Sequence, residues 1–253
     1  MDDIILESQN LRKEFGALVA VAGVSVKVKK NAIHSVIGPI GAGKTTFFNL
    51  LSGTLPPTSG RVIFKGKDIT NVPVHQTIHL GIGRSFQITN LFPNLTALEN
   101  VRLACQALGK DSFRFFQSHR QFRKYEERAL EVLEEVGLGK RALSPAKTLP
   151  HGDQRKLELA MILAPNPEVL LLDEPTAGMA AEQVPELIEL IRKVHSSGNK
   201  TIILVEHNMN VVMRISDRIT VMHLGEVLAE GSPAEIAANE TVQRAYLGEL
   251  YRN

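Results

Sequence analysis

A glycine-rich segment at residues 38–46 carries the residue types that bind nucleotide phosphates. It fits the pattern G-x-x-x-x-G-K-S/T and lies between a predicted strand and a predicted helix. Its glycines let backbone N–H groups turn toward phosphate oxygens, and the helix that follows directs its positive end at the same anion. Lys44 supplies a mobile positive charge for the β and γ phosphates, and Thr45 offers a hydroxyl oxygen of the kind that Mg²⁺ prefers. The segment therefore predicts a site for a nucleoside triphosphate with Mg²⁺.

Two acids end an apolar run further along the chain, at residues 170–174, which read LLLDE. Ending a buried strand in two carboxylates is unfavourable unless they have a function. Asp173 can hold Mg²⁺ through water, and Glu174 can polarise a water that attacks the terminal phosphate. The acid pair alone is weak evidence, but downstream of the glycine-rich segment it predicts a P-loop ATPase or GTPase.

The elements that must position these motifs alternate between strand-like and helix-like patterns, which predicts an α/β fold. Residues 24–28 alternate as a half-exposed strand does, whereas residues 169–172 form the continuous apolar run of a buried parallel strand. Further strands are predicted at residues 33–37, 61–64, 201–205 and 219–222.

The middle of the chain, from about residue 97 to residue 160, shows helical spacing and few strand signals. Basic residues and phenylalanines are interleaved in residues 111–125. This segment is either a surface that contacts RNA or lipid, or the solvated basic face of an amphipathic helix. The glutamates that begin at Glu126 dilute the charge and favour the solvated face.

Composition limits the classes of function that stay open. The 253 residues carry 29 Lys and Arg against 27 Asp and Glu, without the basic excess typical of nucleic-acid binders. Cys105 is the only cysteine, so we expect no intrachain disulfide and a buried apolar role for this residue. The acidic start lacks the basic region of a secretory signal, and no apolar run reaches the roughly 18–20 residues that cross a bilayer. Any membrane role is therefore expected to act through a partner.

The chain resembles the ATP-binding cassette (ABC) ATPases over residues 5–251. The resemblance rests on these motifs and on three further positions. Phe15 resembles the aromatic residue that stacks on adenine in that family. Gln87 matches the Q-loop glutamine, which senses the γ phosphate and meets the membrane subunit. His207 matches the switch histidine, which contacts the γ phosphate and holds the attacking water.

The resemblance implies ATP and Mg²⁺ as cofactors and gives each motif residue a role. The catalytic set is Lys44, Gln87, Glu174 and His207. The nucleotide-binding set is Phe15, Gly38, Pro39, Ile40, Gly41, Ala42, Gly43, Lys44, Thr45 and Thr46. The implied Mg²⁺ ligands are Thr45, Gln87 and Asp173.

Several positions depart from the family pattern on the surfaces that serve the opposite cassette. Residues 149–154 read LPHGDQ where the family signature is usually LSGGQ. Pro150 replaces the serine, which removes a hydroxyl and a backbone N–H, and His151 replaces the first glycine. Ile40 stands for the usual asparagine of the phosphate loop, and Ala180 for the usual aspartate of the D-loop. We interpret the phosphate-binding side as intact and the faces toward the opposite cassette as weakened.

Within the ABC family, the chain resembles the ATPases of branched-chain amino-acid importers. The resemblance rests on residues 90–100, on an insertion near residues 107–127, and on HGDQRKLE at residues 151–158. The ending RAYLGE at residues 244–249 also fits, although it occurs in the lipopolysaccharide-export ATPase as well.

The resemblance implies one ABC ATPase domain over residues 1–253. The expected α/β fold has a mainly parallel core sheet, an antiparallel β segment near the N-terminus and a helical lobe. The core lobe is expected at residues 1–94 and 159–253, and the helical lobe at residues 95–158. In this family two cassettes sandwich two ATP molecules, and hydrolysis reopens the pair.

The implied function is ATP hydrolysis that powers import of branched-chain or related small amino acids or amides. The implied partners are membrane permease subunits, a second cassette in a heterodimer or a homodimer, and indirectly a periplasmic or extracellular solute-binding protein. No nucleic acid is expected as a partner. The expected location is the cytoplasmic face of the inner or plasma membrane. Three alternatives stay open: a lipopolysaccharide-type exporter ATPase, a non-transport ABC protein, and a nucleotide-binding regulatory subunit with little turnover.

Overall fold

A small antiparallel sheet lies near the N-terminus in the computed structural model, which describes residues 3–85, 91–109 and 119–250. Its strand order is β2-β1-β4-β5. On β1, Leu6 pairs with Val28 on one side and Phe64 on the other, and all three side chains are buried. One face of this sheet therefore packs on the core. The strands are β1 (Ile4–Phe15), β2 (Leu18–Lys29), β4 (Ser59–Phe64) and β5 (Lys67–Asp68).

A larger sheet has the strand order β10-β9-β3-β8-β7-β6. Its strands are β3 (Ile33–Ile37), β6 (Ile82–Arg84), β7 (Val169–Asp173), β8 (Thr201–Val205), β9 (Arg218–His223) and β10 (Glu226–Gly231). Only β10 is antiparallel to its neighbour among these strands. Every residue of β3, β7 and β8 is buried, as expected for parallel strands covered on both faces. Because β8 lies between β3 and β7, the carboxyl ends of these three strands meet at one end of the sheet.

Helices cover the sheets in the described part of the chain. They are α1 (Lys44–Leu51), α2 (Val74–Leu80), α3 (Ala97–Gln106), α4 (His119–Glu135), α5 (His151–Leu163), α6 (Val184–Gly198), α7 (Met209–Ile215), α8 (Pro233–Ala238) and α9 (Glu240–Leu250). None of the helices in the described ranges has the length and apolar content that a bilayer crossing requires.

The helical region predicted for the middle of the chain is built from α3, α4 and α5. One buried apolar cluster joins this region to the parallel sheet, with Val101, Val132 and Leu157 from the helices and Leu170 and Leu204 from the strands. The predicted lobe boundary at residue 158 lies inside α5. The division into two lobes stays a prediction.

The predicted fold class is confirmed by the mainly parallel sheet, the antiparallel β segment and the helical region. Strands β3 and β8 begin and end at the predicted residues, and α1 begins after Gly43 as predicted. Cys105 is buried, and burial raises the pKa of its thiol to about 11, as suits an apolar role. The interleaved basic segment at residues 111–125 falls partly outside the described residues, so its contacts stay a prediction.

Candidate active site

The glycine-rich loop leaves the carboxyl end of β3 and enters α1. Gly38 and Gly43 have φ values of 153° and 92°. A Cβ at Gly38 would lie 2.1 Å from the carbonyl oxygen of Met222, and a Cβ at Gly43 would lie 2.3 Å from that of Ala20. Both positions therefore require glycine, which lets the loop sit closely against β9 and β2.

Lys44 is the first residue of α1, and its ammonium group lies within the loop. The side chain is buried, and Nζ donates hydrogen bonds to the carbonyl oxygens of Gly38 at 2.6 Å and Pro39 at 2.8 Å. No side chain caps the N-terminus of α1, so N–H groups of its first turn can serve an anion. A positive side chain and a helix N-terminus thus combine into a cradle suited to phosphate.

The remaining predicted nucleotide-binding residues occupy different environments. Phe15 ends β1 with 49% of its surface exposed, and Lys13 Nζ lies over its ring, 5.3 Å from the ring centroid. Ile40 is 88% exposed at the tip of the loop. Thr45 and Thr46 lie half-buried in the first turn of α1. Gln87 lies outside the described residues, so its predicted roles stay predictions.

Asp173 ends β7 as a buried carboxylate, with 3% of its surface exposed. Neither carboxylate oxygen has a hydrogen-bond partner among the described residues. Burial raises the pKa of Asp173 to about 6, and the positive charge of Arg84 opposes that shift. The backbone N–H of Asp173 donates to Ser85 Oγ at 2.8 Å, which fixes the strand end. Two buried, unsatisfied carboxylate oxygens fit the ligand chemistry of a hard cation.

Glu174 and His207 follow different strands and meet at the end of the sheet. His207 Nε2 lies 2.8 Å from Glu174 Oε1. Glu174 has a φ of 48°, a conformation that is uncommon outside glycine and often occurs at functional sites. Its N–H donates to the carbonyl oxygen of Val205 at 2.9 Å, which joins the turn after β7 to the end of β8. A carboxylate and an imidazole in contact can orient a water and hold a proton.

The segment that resembles the family signature forms the start of α5. Pro150 is the N-cap residue, and no side chain caps the helix. Gln154 Nε2 instead donates to the carbonyl oxygen of Leu149 at 2.9 Å. Asp153, in the first turn, forms an ion pair with Lys156 at 3.4 Å. The N-terminus of α5 thus carries a negative side chain and lacks the hydroxyl of the usual serine.

Sequence reasoning missed three residues that contact the site. Arg84 donates to three side chains in and just after α1, and Ser85 holds the end of β7. Glu206 is buried directly before His207. Glu206 is an acid that follows an apolar strand. The same pattern identified Asp173, so it could have identified Glu206 as well. Arg84 and Ser85 carry no comparable local signal, because their partners are distant in the sequence.

Together, the phosphate cradle, the buried Asp173 and the Glu174–His207 pair have the chemistry expected of a nucleoside-triphosphate site of the P-loop class. The sequence profile of the family described as "ABC transporter" matches residues 21–177, and that described as "Branched-chain amino acid ATP-binding cassette transporter" matches residues 226–251. The chain belongs to the ABC transporter family and is an ATP hydrolase.

Curated relatives match over nearly their full length. The chain is 42% identical over 251 residues to the high-affinity branched-chain amino acid transport ATP-binding protein BraF of Pseudomonas aeruginosa, covering 97% of this chain and 98% of the relative. It is 41% identical over 254 residues to LivG of Escherichia coli, with 98% and 100% covered. Identity to the lipopolysaccharide export system ATP-binding protein LptB of Haemophilus influenzae is lower, at 32% over 248 residues, with 98% and 99% covered.

Solved structures share the fold over nearly the whole chain. The ADP conformation of MJ1267, an ATP-binding cassette of an ABC transporter, superposes with a TM-score of 0.84 at 29% identity, covering 97% of this chain and 99% of the other. A dimeric post-hydrolysis state of the cassette MJ0796 bound to ADP and Pi superposes with a TM-score of 0.76 at 30% identity, covering 90% and 99%. Cassettes of this family bind nucleotide and form dimers.

Proposed function

We propose that the chain is the ATPase subunit of an ABC importer for branched-chain or related small amino acids or amides. The observation that carries this proposal is the sequence identity of 41–42% to BraF and LivG over nearly the full length. The match of residues 226–251 to the branched-chain amino acid cassette profile supports it. The transported solute does not enter the site described above, so its class rests on the relatives.

The nucleotide of the proposed reaction is ATP with Mg²⁺. Lys44 and the N–H groups at the start of α1 would bind the β and γ phosphates, and Phe15 would stack on adenine. Thr45, Gln87 and Asp173 would hold Mg²⁺, and the unsatisfied oxygens of Asp173 support this assignment. The described residues contain no cluster of three or more His, Cys, Asp or Glu that could bind a metal. Phosphate oxygens would therefore complete a Mg²⁺ site, as they commonly do. When bound, Mg²⁺ neutralises charge on the phosphates.

The side chains at the end of the sheet account for the chemistry. Glu174 would polarise the attacking water, and His207 would hold that water and contact the γ phosphate. Lys44 would stabilise charge on the transferred phosphoryl group. The hydrogen bond between Glu174 and His207 supports these roles, because it holds the carboxylate and the imidazole next to each other.

The proposed partners are two membrane permease subunits and a second cassette. A cavity of about 250 Å³ lies between α2, β6 and α5, with Ser85 on its wall, just before the segment that contains Gln87. Because Gln87 resembles the glutamine that meets the membrane subunit, we assign the permease contact to this cavity. The chain would then lie on the cytoplasmic face of the membrane. The cavity is lined mainly by apolar side chains, including Val74, Ile78, Ile82, Met161 and Ile162.

A lipopolysaccharide-type exporter ATPase is the second candidate function. It is supported by 32% identity to LptB over 98% of this chain. The two candidates differ in assembly, because the amino-acid importers usually pair two different ATPases whereas the exporter is built on a homodimer.

A tagged pull-down of this chain from native membranes, followed by mass spectrometry, tests the proposal. We expect two different multi-span permease subunits and a second, distinct cassette. A matched pair of variants tests the assigned contact. Ile162→Glu, in the cavity wall, should lose the permease subunits, and Leu143→Glu, which changes an exposed leucine elsewhere, should retain them.

Two results would contradict the importer proposal. Recovery of this cassette as a homodimer with export-type membrane subunits would favour the exporter. Recovery of ribosomal or DNA-repair proteins without a permease would leave the family assignment intact and remove the transport function.

A further inference from the structure

Glu206 is a buried acid that no step of the proposed mechanism uses. It follows β8 directly and precedes His207, and only 3% of its surface is exposed. Burying a carboxylate is unfavourable unless its oxygens are satisfied, so the contacts of this side chain show what it does.

Neutral donors from two separate loops occupy both carboxylate oxygens. Glu206 Oε1 accepts from the backbone N–H of Thr176 at 3.0 Å and from its hydroxyl at 2.6 Å. Glu206 Oε2 accepts from the backbone N–H of His207 at 3.1 Å and of Asn208 at 3.4 Å. One carboxylate therefore joins the turn after β7 to the turn after β8.

These contacts close a ring around the proposed hydrolytic pair. Thr176 lies two residues after Glu174, and the ring closes where His207 Nε2 meets Glu174 Oε1 at 2.8 Å. Glu174 also holds a left-handed backbone conformation, which needs support from its surroundings. By holding Thr176 and the backbone of His207, Glu206 constrains both ends of the Glu174–His207 contact.

We propose that Glu206 is a positioning residue for ATP hydrolysis, which sets the distance and orientation of Glu174 relative to His207. The inference rests on the roles of Glu174 and His207 given under the proposed function. Glu206 does not itself contact the reacting atoms, because it is buried and its oxygens are engaged by the two loops. Small displacements of reacting groups lower turnover strongly, so loss of this constraint should affect the chemical step.

Glu206→Gln in the assembled transporter complex is the direct test. The amide is nearly isosteric, but its NH₂ group must face one of the two donor pairs, so half of the bridge is lost. We expect kcat for ATP hydrolysis to fall by roughly 10- to 100-fold, with KM for ATP changed by less than about 3-fold. The matched control is Glu230→Gln, which removes a carboxylate on the edge strand β10 that accepts from Arg218 and Thr220 of β9. This control should leave kcat unchanged.

Thr176→Val and Thr176→Ser keep the test decisive if Glu206→Gln does not fold. Thr176→Val removes the hydroxyl donor to Glu206 and should lower kcat. Thr176→Ser keeps that donor and should have the kcat of wild type. A wild-type kcat in folded Glu206→Gln would overturn the inference, and so would a raised KM with unchanged kcat. If Glu206→Gln does not fold, a wild-type kcat in Thr176→Val would overturn it. Full turnover in Glu174→Gln or His207→Ala would instead show that the proposed roles of the pair are wrong.

Discussion

Asp173 is a buried acid at the end of β7. Its carboxylate is buried, and neither oxygen accepts a hydrogen bond from the described residues. A buried charge in this state destabilises the fold, and proteins tolerate it where a ligand will satisfy it. We therefore expect Asp173 to lower the stability of the nucleotide-free chain and to bind the cation of the proposed ATP site.

Asp173→Asn should separate these two effects. The nucleotide-free variant loses a buried charge, so we expect its melting temperature to rise. The rise should be about 2–4 °C for each 1 kcal/mol added to the free energy of unfolding. The additional stabilisation that Mg²⁺ gives in the presence of ATP should be lost. Thermal melting with ATP, with and without Mg²⁺, measures both changes.

Asp217→Asn is the matched control for Asp173→Asn. Asp217 Oδ2 accepts a hydrogen bond from the N–H of Ile33 at 2.8 Å, so its carboxylate is already satisfied. The control should not gain stability and should keep the Mg²⁺-dependent increment. If Asp173→Asn keeps the full increment, Asp173 does not hold the cation.

Among single residues, the candidates for the chemistry came from motifs whose spacing is local, and their roles stay predictions. Lys44, Asp173 and Glu174 were predicted from their own neighbours in the chain. The partners of Arg84 and Glu206 come from other strands and loops, and no local pattern reports such contacts. The contacts that join the turns after β7 and β8 were therefore harder to predict than the motif residues themselves.

At the scale of elements, the predictions succeeded for strands that are buried on both faces. Strand β8 reads TIILV and is apolar after Thr201, whereas β3 reads IHSVI and buries the polar residues His34 and Ser35, and the ends of both strands were predicted to the residue. Strand β1 runs over Ile4–Phe15, but register shifts interrupt its pairing with β2 and break the alternation of polar and apolar residues. Its length could not be predicted from a period-2 pattern.

The N-terminus of α5 departs from the family signature at Pro150. Pro150 leaves this helix without a capping side chain at the end that resembles the signature. We predict that Pro150→Ser raises the ATP hydrolysis rate of the assembled complex. A serine N-cap should also stabilise the chain by about 0.5–2 kcal/mol. Steady-state phosphate release and thermal melting measure the two effects.

Pro150→Ala is the control for Pro150→Ser, because alanine restores the backbone N–H without the hydroxyl. If serine raises the rate and alanine does not, the missing hydroxyl limits the site that this helix serves. An unchanged rate in Pro150→Ser would mean that the departure from the family signature is harmless. The interpretation that the faces toward the opposite cassette are weakened would then be wrong at this position.

Across the described part of the chain, one buried apolar cluster connects α5 to the strands that carry the proposed catalytic residues. The cluster includes Leu157 of α5 and Leu172 of β7, directly before Asp173. We therefore expect a displacement of α5 to be felt at the end of β7, because close-packed interiors transmit strain. The sequence predicted a helical lobe and a core lobe but could not show this shared core, because tertiary packing leaves no periodic signal.

We propose that this cassette hydrolyses ATP through Glu174, with the ATP bound between two cassettes. The most direct test is ATP turnover and ATP retention by Glu174→Gln in the assembled complex, with exposed Glu182→Gln as the matched control. We predict that Glu174→Gln lowers phosphate release by at least about 100-fold and retains bound ATP, whereas Glu182→Gln behaves as wild type. Rapid phosphate release by Glu174→Gln would contradict the account and remove Glu174 from its assigned role.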